Sequence, residues 1–140
     1  MKLFLCILFF SLTYIASSQT EEKDTIISTV AEVDPAFPGG EDEMIKFINE
    51  NFVYPKEARL NNEQGTVYVE FVVYNDGSIG NVHILKGVSK SIDAEAIRVV
   101  KAMPKWSPGI QDGKKVHVRY VIPIRVMLTT NKKKKRIFKR

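Results

Sequence analysis

Cysteine and histidine are scarce in this chain of 140 residues, which contains one cysteine and two histidines. Cys6 lies inside the apolar run from Leu3 to Ala16, so a chain that loses this run has no thiol for disulfides or redox chemistry. His83 and His117 stand far apart, without an HExxH motif or a carboxylate at metal-ligand spacing. We therefore expect no metal site and interpret both histidines as strand-surface residues.

Motifs of catalysis and of nucleotide binding are also missing. The sequence has no GxSxG, no phosphate-cradling glycine loop and no acid pair in a plausible cleft, so it offers no candidate nucleophile or general base. We predict that the protein is not an enzyme and uses no cofactor. Its composition, 44% hydrophobic and 26% charged, is that of an ordinary globular domain, and its length has room for one.

Residues 1–18 have the pattern of a secretory signal peptide. Lys2 is followed by the apolar run "LFLCILFFSLTYIA", which is shorter than the roughly 20 residues needed to span a bilayer. Ala16 and Ser18 have the spacing of a cleavage site, so we predict export and a mature chain that begins at Gln19. The alternative is an uncleaved N-terminal segment that anchors the protein to a membrane.

Positive charge is concentrated at the C-terminal end. The last nine residues, "KKKKRIFKR", contain seven Lys or Arg; without these and Lys2, 13 basic residues remain against 16 acidic ones. We predict a mildly acidic body and a basic tail at 129–140, which is typical of a solvated chain end. The alternative is contact of this tail with an anionic lipid or cell-wall surface. Nucleic acid is not expected as a partner of an exported chain.

A domain is predicted from residue 34 to residue 128, behind a polar tether at 19–33. The turn sequence "DPAFPGG" opens the domain. A first amphipathic helix begins at Glu41, where acidic residues suit the helix dipole, and ends near Val53 because Pro55 disfavours helical torsions before it. Pro55 also starts a short helical turn over "KEARL".

The rest of the domain is predicted as a hairpin, a helix and a strand. Apolar and polar residues alternate from Gly65 to Lys86 on both sides of the turn "NDG", which predicts a β-hairpin. Helical spacing follows from Ser91, a candidate N-cap, to Met103. Alternation returns in "KKVHVRYVIPIRV" at 114–126. The predicted fold class is α+β, a two-layer sandwich in which a three-stranded antiparallel sheet packs against two helices.

The proline at position 123 indicates that the last strand lies at a sheet edge. Proline has no amide proton to give to a neighbouring strand, so it is tolerated where one side of the strand is open. If this strand lies beside the first strand of the hairpin, its far side has no partner in the chain. Such an edge invites a strand from another molecule.

Several pieces of the sequence resemble, in one order, the C-terminal domain of TonB, the energy transducer of Gram-negative envelopes. They are Tyr54-Pro55, "GTVYVEFVVYNDGSIGNVHIL" at 65–85, "DAEAIRVVKAMPKWSPG" at 93–109, and "VHVRYVIPIRV". With "FPGG" at 37–40, the wording is most similar to the Bacteroidetes branch of that family. The similarity covers about Phe37 to Leu128.

The resemblance implies a periplasmic domain that binds the TonB box, a short extended peptide of outer-membrane receptors, as an added strand. In the family, a proton-driven motor complex in the inner membrane supplies the energy. Because Pro123 withholds one donor, we expect pairing mostly along 116–122. The implied peptide-binding residues are Val116, His117, Val118, Arg119, Tyr120, Val121 and Ile122, together with Asn51 and Tyr54.

Two of these positions have a second interpretation. Asn51 stands where the family often has glutamine, and its shorter amide is equally well explained as a solvated helix-end residue. Tyr54 is interpreted as a wall of the core or of the groove.

Two functions from different classes are compatible with the sequence. The first is a transport component that grips TonB-dependent receptors; if the signal peptide is cleaved, it acts as a soluble adaptor or with a partner that supplies the anchor. If the N-terminal segment is kept, the domain is held at the inner membrane and couples energy directly. The second is an envelope interaction module whose edge strand pairs with another copy, as a homodimer, or with a wall-associated partner.

Overall fold

The structure is a computed structural model that describes residues 27–129. The predicted signal peptide, residues 19–26 of the predicted tether and residues 130–140 of the predicted tail lie outside the described residues. In chain order the elements are β1 (Ile27–Ser28), α1 (Glu41–Asn51), α2 (Lys56–Leu60), β2 (Gly65–Val73), β3 (Ile79–Lys86), α3 (Lys90–Lys101), β4 (Gly109–Gln111) and β5 (Lys114–Val126). None of the helices within this part of the chain has the length and apolar character needed to cross a membrane.

The strands form one sheet in the order β1-β5-β2-β3, and β4 pairs with the beginning of β5. β2 is antiparallel to both β3 and β5, whereas β1 is parallel to β5. The predicted α+β class and the three antiparallel strands are therefore confirmed. The strand count is higher than predicted because β1 and β4 span only two and three residues, too few for an alternating pattern to show in the sequence.

The core lies between the sheet and the helices. β2 contributes Val67, Val69, Phe71 and Val73, α3 contributes Ile92, Ala96 and Val100, and β5 contributes Ile122, Ile124 and Val126. These residues are the alternate positions of each strand and one stripe of α3, as the two periodicities require. Each large apolar side chain so buried contributes roughly 1.5–3 kcal/mol, so this layer supplies most of the stability.

The start of α3 differs from the sequence prediction. Ser89, and not Ser91, is the N-cap, because the Ser89 hydroxyl accepts a hydrogen bond from the Ile92 amide at 3.4 Å. Ser91 lies in the first turn. Asp93 also supports this end of the helix, since its Oδ1 accepts from the Val88 amide at 2.9 Å. The helix ends at Lys101, two residues before the predicted end at Met103.

The β2–β3 turn is tied to the segment that carries Trp106. Gly77 adopts a φ of 83°, in the left-handed region that favours glycine, and a side chain there would collide with the Trp106 carbonyl. The Trp106 amide donates to the Gly77 carbonyl at 2.8 Å. Asp76 accepts hydrogen bonds from the Ser78 hydroxyl and amide, which lower the pKa of Asp76. The hairpin end is thereby fixed beside the aromatic core.

Residues 27–33, which were predicted as part of a polar tether, lie against the domain. β1 pairs with β5, and the Val33 and Ile110 main chains exchange two hydrogen bonds of 3.1 and 2.9 Å. Further on, Ala36 pairs with Ser107 in the same way. This segment therefore passes from the edge of the sheet to the side on which the helices pack.

Candidate functional site

β5 is the longest strand, and its two sides are paired unequally. β2 pairs with it along its whole second part, from Val118 to Val126. β4 pairs with Lys114–Val116, and β1 pairs with His117 and Val118. From Arg119 to Val126, no strand of the described residues lies on the side away from β2. We call this stretch the open edge of β5.

Pro123 shows which main-chain groups point outward from the open edge. Pro123 lies opposite Tyr68 in a register that continues without a shift from Val118 to Val126. Alternate residues of such a strand turn their main-chain groups to opposite sides. Since proline has no N–H, the ladder with β2 is complete only if Pro123 belongs to the outward set. The outward set is therefore Arg119, Val121, Pro123 and Arg125, with four carbonyl acceptors. Its N–H donors on the open edge are those of Val121 and Arg125, because the parallel register of Ser28 with Val118 directs the Arg119 N–H to the Ser28 carbonyl.

The side chains of the outward set lie on the solvent face of the sheet, beside an exposed apolar patch. Val121 is 40% exposed, and Tyr68 of β2, opposite Pro123, is 39% exposed. Leu85 of β3 is 54% exposed. Apolar patches of this kind, rimmed by charges, are typical of interaction surfaces.

Charged groups lie beside this patch. The Glu70 carboxylate Oε1 is 3.0 Å from His83 Nε2 and 3.6 Å from Arg119 Nε. Arg125, further along β5, is exposed. The open edge therefore carries an arginine near each end, and the first of these is partly neutralised by Glu70.

The opposite face of the open edge is aromatic. The Tyr120 ring centroid lies 5.3 Å from that of Trp106 and 5.9 Å from that of Phe71, in tilted or edge-on geometry. Trp106 is 4% exposed, whereas Tyr120 is only half-buried. Tyr120 therefore connects the core to the open edge.

The expectation that the far side of the last strand has no partner in the chain is wrong at its beginning. Ile27 lies opposite His117, and Ser28 lies opposite Val118. Val116, which lies opposite Gly109 of β4, precedes the open edge. His117 is further occupied on the solvent face, where its Nδ1 accepts a hydrogen bond from the Asn75 amide at 3.0 Å. Of the strand residues expected to bind peptide, the structure leaves Arg119, Tyr120, Val121 and Ile122 on the open edge.

Sequence reasoning missed the second half of the open edge. It placed the limit at Ile122 because Pro123 lacks a donor, but the same lack of a donor fixes which residues face outward. Arg125, like Val121, turns its main-chain groups away from β2, and it adds both a donor and an acceptor beyond the proline. The signal that could have extended the site was the odd-numbered series 119, 121, 123 and 125.

Asn51 is the last residue of α1, and Tyr54 lies in the connection between α1 and α2. The hydrogen bonds of both residues are made away from β5. Asn51 Nδ2 donates to the Phe47 carbonyl at 2.8 Å, and the Asn51 carbonyl accepts from Arg98 Nη2 at 2.7 Å. The Tyr54 hydroxyl donates to the Glu63 carbonyl. Both residues are half-buried, and the structure does not bring them together with the open edge through any of these bonds.

A clamp from α3 holds this connection. Glu95 accepts from the Val53 amide at 2.7 Å and from Arg98 at 2.6 and 2.8 Å. The hydrogen bonds from Arg98 are the main cause of the lowered pKa of Glu95, whose side chain is 13% exposed. The clamp fixes the end of α1 against α3, and it has the features of a structural ion pair.

Metal chemistry has no candidate in the part of the chain that the structure describes. Within residues 27–129, no group of three or more His, Asp or Glu side chains is arranged to hold a metal ion. His83 and His117 lie on different strands with separate partners, Glu70 and Asn75.

Comparison with known proteins identifies the domain that carries this edge. The sequence model of the family described as Gram-negative bacterial TonB protein C-terminal matches residues 50–126, more than half of the chain. The solution NMR structure of the Helicobacter pylori TonB C-terminal domain is 25% identical, covering 66% of this chain and 87% of that chain with a TM-score of 0.48. The Pseudomonas aeruginosa TonB C-terminal domain is 24% identical, covering 55% and 80%, with a TM-score of 0.39.

No curated protein sequence matches the chain. The resemblance seen in the sequence is confirmed by the family match, whereas its assignment to the Bacteroidetes branch stays a prediction. The chain belongs to the Gram-negative bacterial TonB C-terminal family.

Proposed function

We propose that this chain binds the TonB-box peptide of outer-membrane receptors by strand addition to the open edge of β5, as part of energy-coupled transport across the outer membrane. The family gives a role in TonB-related transport and in interaction rather than catalysis. The single observation that carries the proposal is the stretch Arg119–Val126, which has a strand partner on one side only among residues 27–129.

The energetics of this edge suit reversible binding. About four new main-chain hydrogen bonds, at roughly 0.5–1.5 kcal/mol net each, contribute about 2–6 kcal/mol before the cost of ordering the peptide. Micromolar affinity needs about 8 kcal/mol. The difference has to come from side chains, and the apolar patch at Tyr68, Val121 and Pro123 lies where alternate peptide side chains would rest.

In this proposal the domain acts in the periplasm, at the inner side of the outer membrane, where receptor peptides are presented. A proton-driven motor complex of the inner membrane is the proposed source of energy. The N-terminal segment decides how force reaches the domain: an uncleaved segment anchors it, and a cleaved one makes it an adaptor that needs an anchored partner.

Pairing of two copies through the same edge is the competing use of this surface. In a symmetric antiparallel pair centred on Ile122, Arg119 of one copy would lie opposite Arg125 of the other. Like charges directly opposite each other destabilise a strand pair, and Pro123 removes one donor from each copy. Charges and proline at an edge are the features that hinder self-pairing. These features favour a peptide partner over a second copy.

Titration of the purified chain with synthetic TonB-box peptides from receptors of the same organism tests the proposal. Trp106 is the only tryptophan, and its contact with Tyr120 makes its fluorescence a suitable reporter beside calorimetry. We expect saturable binding in the micromolar to high-micromolar range. A peptide of the same length with prolines at alternate positions, which cannot form the ladder, is the control. Absence of saturation at millimolar peptide would contradict the proposal.

A further inference from the structure

A small cleft opens beside the open edge, on the side of the sheet where the helices pack. Its volume is about 190 Å³, and its walls include Pro35, Phe37, Glu41, Met44, Trp106 and Tyr120. This is less than the roughly 300–1,000 Å³ of sites that enclose a small-molecule ligand. The cleft therefore has room for one side chain rather than for a free ligand.

The cleft shares one of its walls with the open edge. Tyr120 belongs both to the cleft and to the open edge, and no residue of β2 or β3 lines the cleft. The other walls come from the segment before α1, from the first turn of α1, and from Trp106. The cleft therefore lies between the start of α1 and the open edge.

The geometry of strand addition brings a peptide side chain to this place. Residues paired across two strands have their side chains on the same face of the sheet. A peptide residue opposite Tyr120 therefore directs its side chain to the helix side, towards Met44. The main-chain groups of Tyr120 face β2, so this pair is not hydrogen-bonded on the open side. In an antiparallel addition, the side chains of such a pair approach each other more closely than those of a hydrogen-bonded pair.

The chemistry of the walls selects the kind of side chain. Phe37, Met44 and the ring carbons of Trp106 and Tyr120 are apolar. At the mouth, Glu41 is exposed, and the first turn of α1 also carries Asp42 and Glu43. A carboxylate in the cleft would lose hydration beside these like charges. An uncharged apolar side chain suits the cleft.

We propose that this cleft is a specificity pocket, in which the start of α1 recognises one apolar side chain of the bound peptide, at the position opposite Tyr120. This inference rests on the proposed function, because strand addition to β5 brings the peptide to the cleft. It adds a partner contact for residues 35–44, which precede the part of the chain matched by the family model.

Intermolecular NMR contacts test the pocket directly on the wild-type chain. With methionine methyl groups labelled by ¹³C, and with the TonB-box peptide that binds most tightly in the titration, we expect nuclear Overhauser effects between the Met44 methyl and one aliphatic peptide side chain. Met103, in the core and 9% exposed, is the internal control that should show none. A peptide that saturates the protein but gives no contact to the Met44 methyl would overturn the pocket while leaving strand addition intact.

A matched pair of variants gives a second, independent measurement. Met44→Glu places a carboxylate in the cleft and should weaken peptide binding at least ten-fold. Ile45→Glu adds the same charge one residue later on α1, at an exposed position that does not line the cleft, and should change binding less than two-fold. Circular dichroism and thermal unfolding check that both variants fold. Equal effects of the two folded variants on the dissociation constant would refute the pocket.

Discussion

Replacing Val121 by proline removes one outward donor of the open edge without touching the core. Val121 is 40% exposed, and its main-chain groups face away from β2, as those of Pro123 do. The strand therefore already accommodates a proline in this geometry. The residue before it, Tyr120, is in a strand, which is the conformation that a following proline favours. We therefore expect Val121→Pro to fold, with its ladder to β2 complete.

The loss in affinity can be estimated from the missing bond. One main-chain hydrogen bond contributes roughly 0.5–1.5 kcal/mol net, and a peptide carbonyl left without its donor adds to the loss. Binding of the TonB-box peptide should weaken by about 2- to 13-fold from the bond alone. Isothermal titration calorimetry at constant temperature and salt measures this difference.

Val121→Thr is the matched control, because threonine keeps both the N–H and the branched side chain that strands favour. This variant should bind within about two-fold of the wild type. If Val121→Pro folds and binds the peptide as tightly as Val121→Thr does, the main chain at position 121 does not contact the peptide. The assignment of the open edge as the binding site would then be wrong.

Three further predictions concern the edge and the fold. Pro123→Val restores an outward donor, so it should tighten peptide binding or promote self-association, which sedimentation measures. If neither change occurs, the assignment of residue 123 to the outward set is wrong. Glu95 has a lowered pKa because of Arg98, so its contribution to stability is present above its ordinary value of 4.5 and is lost as pH falls through the lower folded value; thermal unfolding should show this acid loss in the wild type and not in Glu95→Gln. Phe71→Ala should cost about 3–5 kcal/mol in urea unfolding, whereas Leu85→Ala, at an exposed site, should cost less than about 0.5 kcal/mol; equal losses would contradict the assigned core.

The regular elements could be predicted because their patterns are long. β5 has the predicted bounds, 114–126, because thirteen residues of alternating character define the two-residue period of a strand. The first helix was predicted two residues too long, because Pro55 limits a helix without fixing its last residue, and α1 ends at Asn51. The short α2 follows Pro55 as predicted.

The pairing of the last strand could not be read from its own sequence. Whether His117 has a neighbour depends on Ile27, 90 residues earlier in the chain, and a two-residue strand has no period of its own. The cleft likewise depends on Phe37, Met44, Trp106 and Tyr120 meeting in space. Local patterns indicate which face of an element is buried, whereas the partner across an edge is set by the topology.

Amide hydrogen exchange along β5, measured by NMR with and without the TonB-box peptide, tests the central claim most directly. In the free protein, the outward amides of Val121 and Arg125 should exchange fast, and those of Tyr120 and Ile122, which bond to β2, should be protected. At saturating peptide the two outward amides should become protected. Saturating peptide that leaves these two amides exchanging as fast as before would contradict strand addition at the open edge.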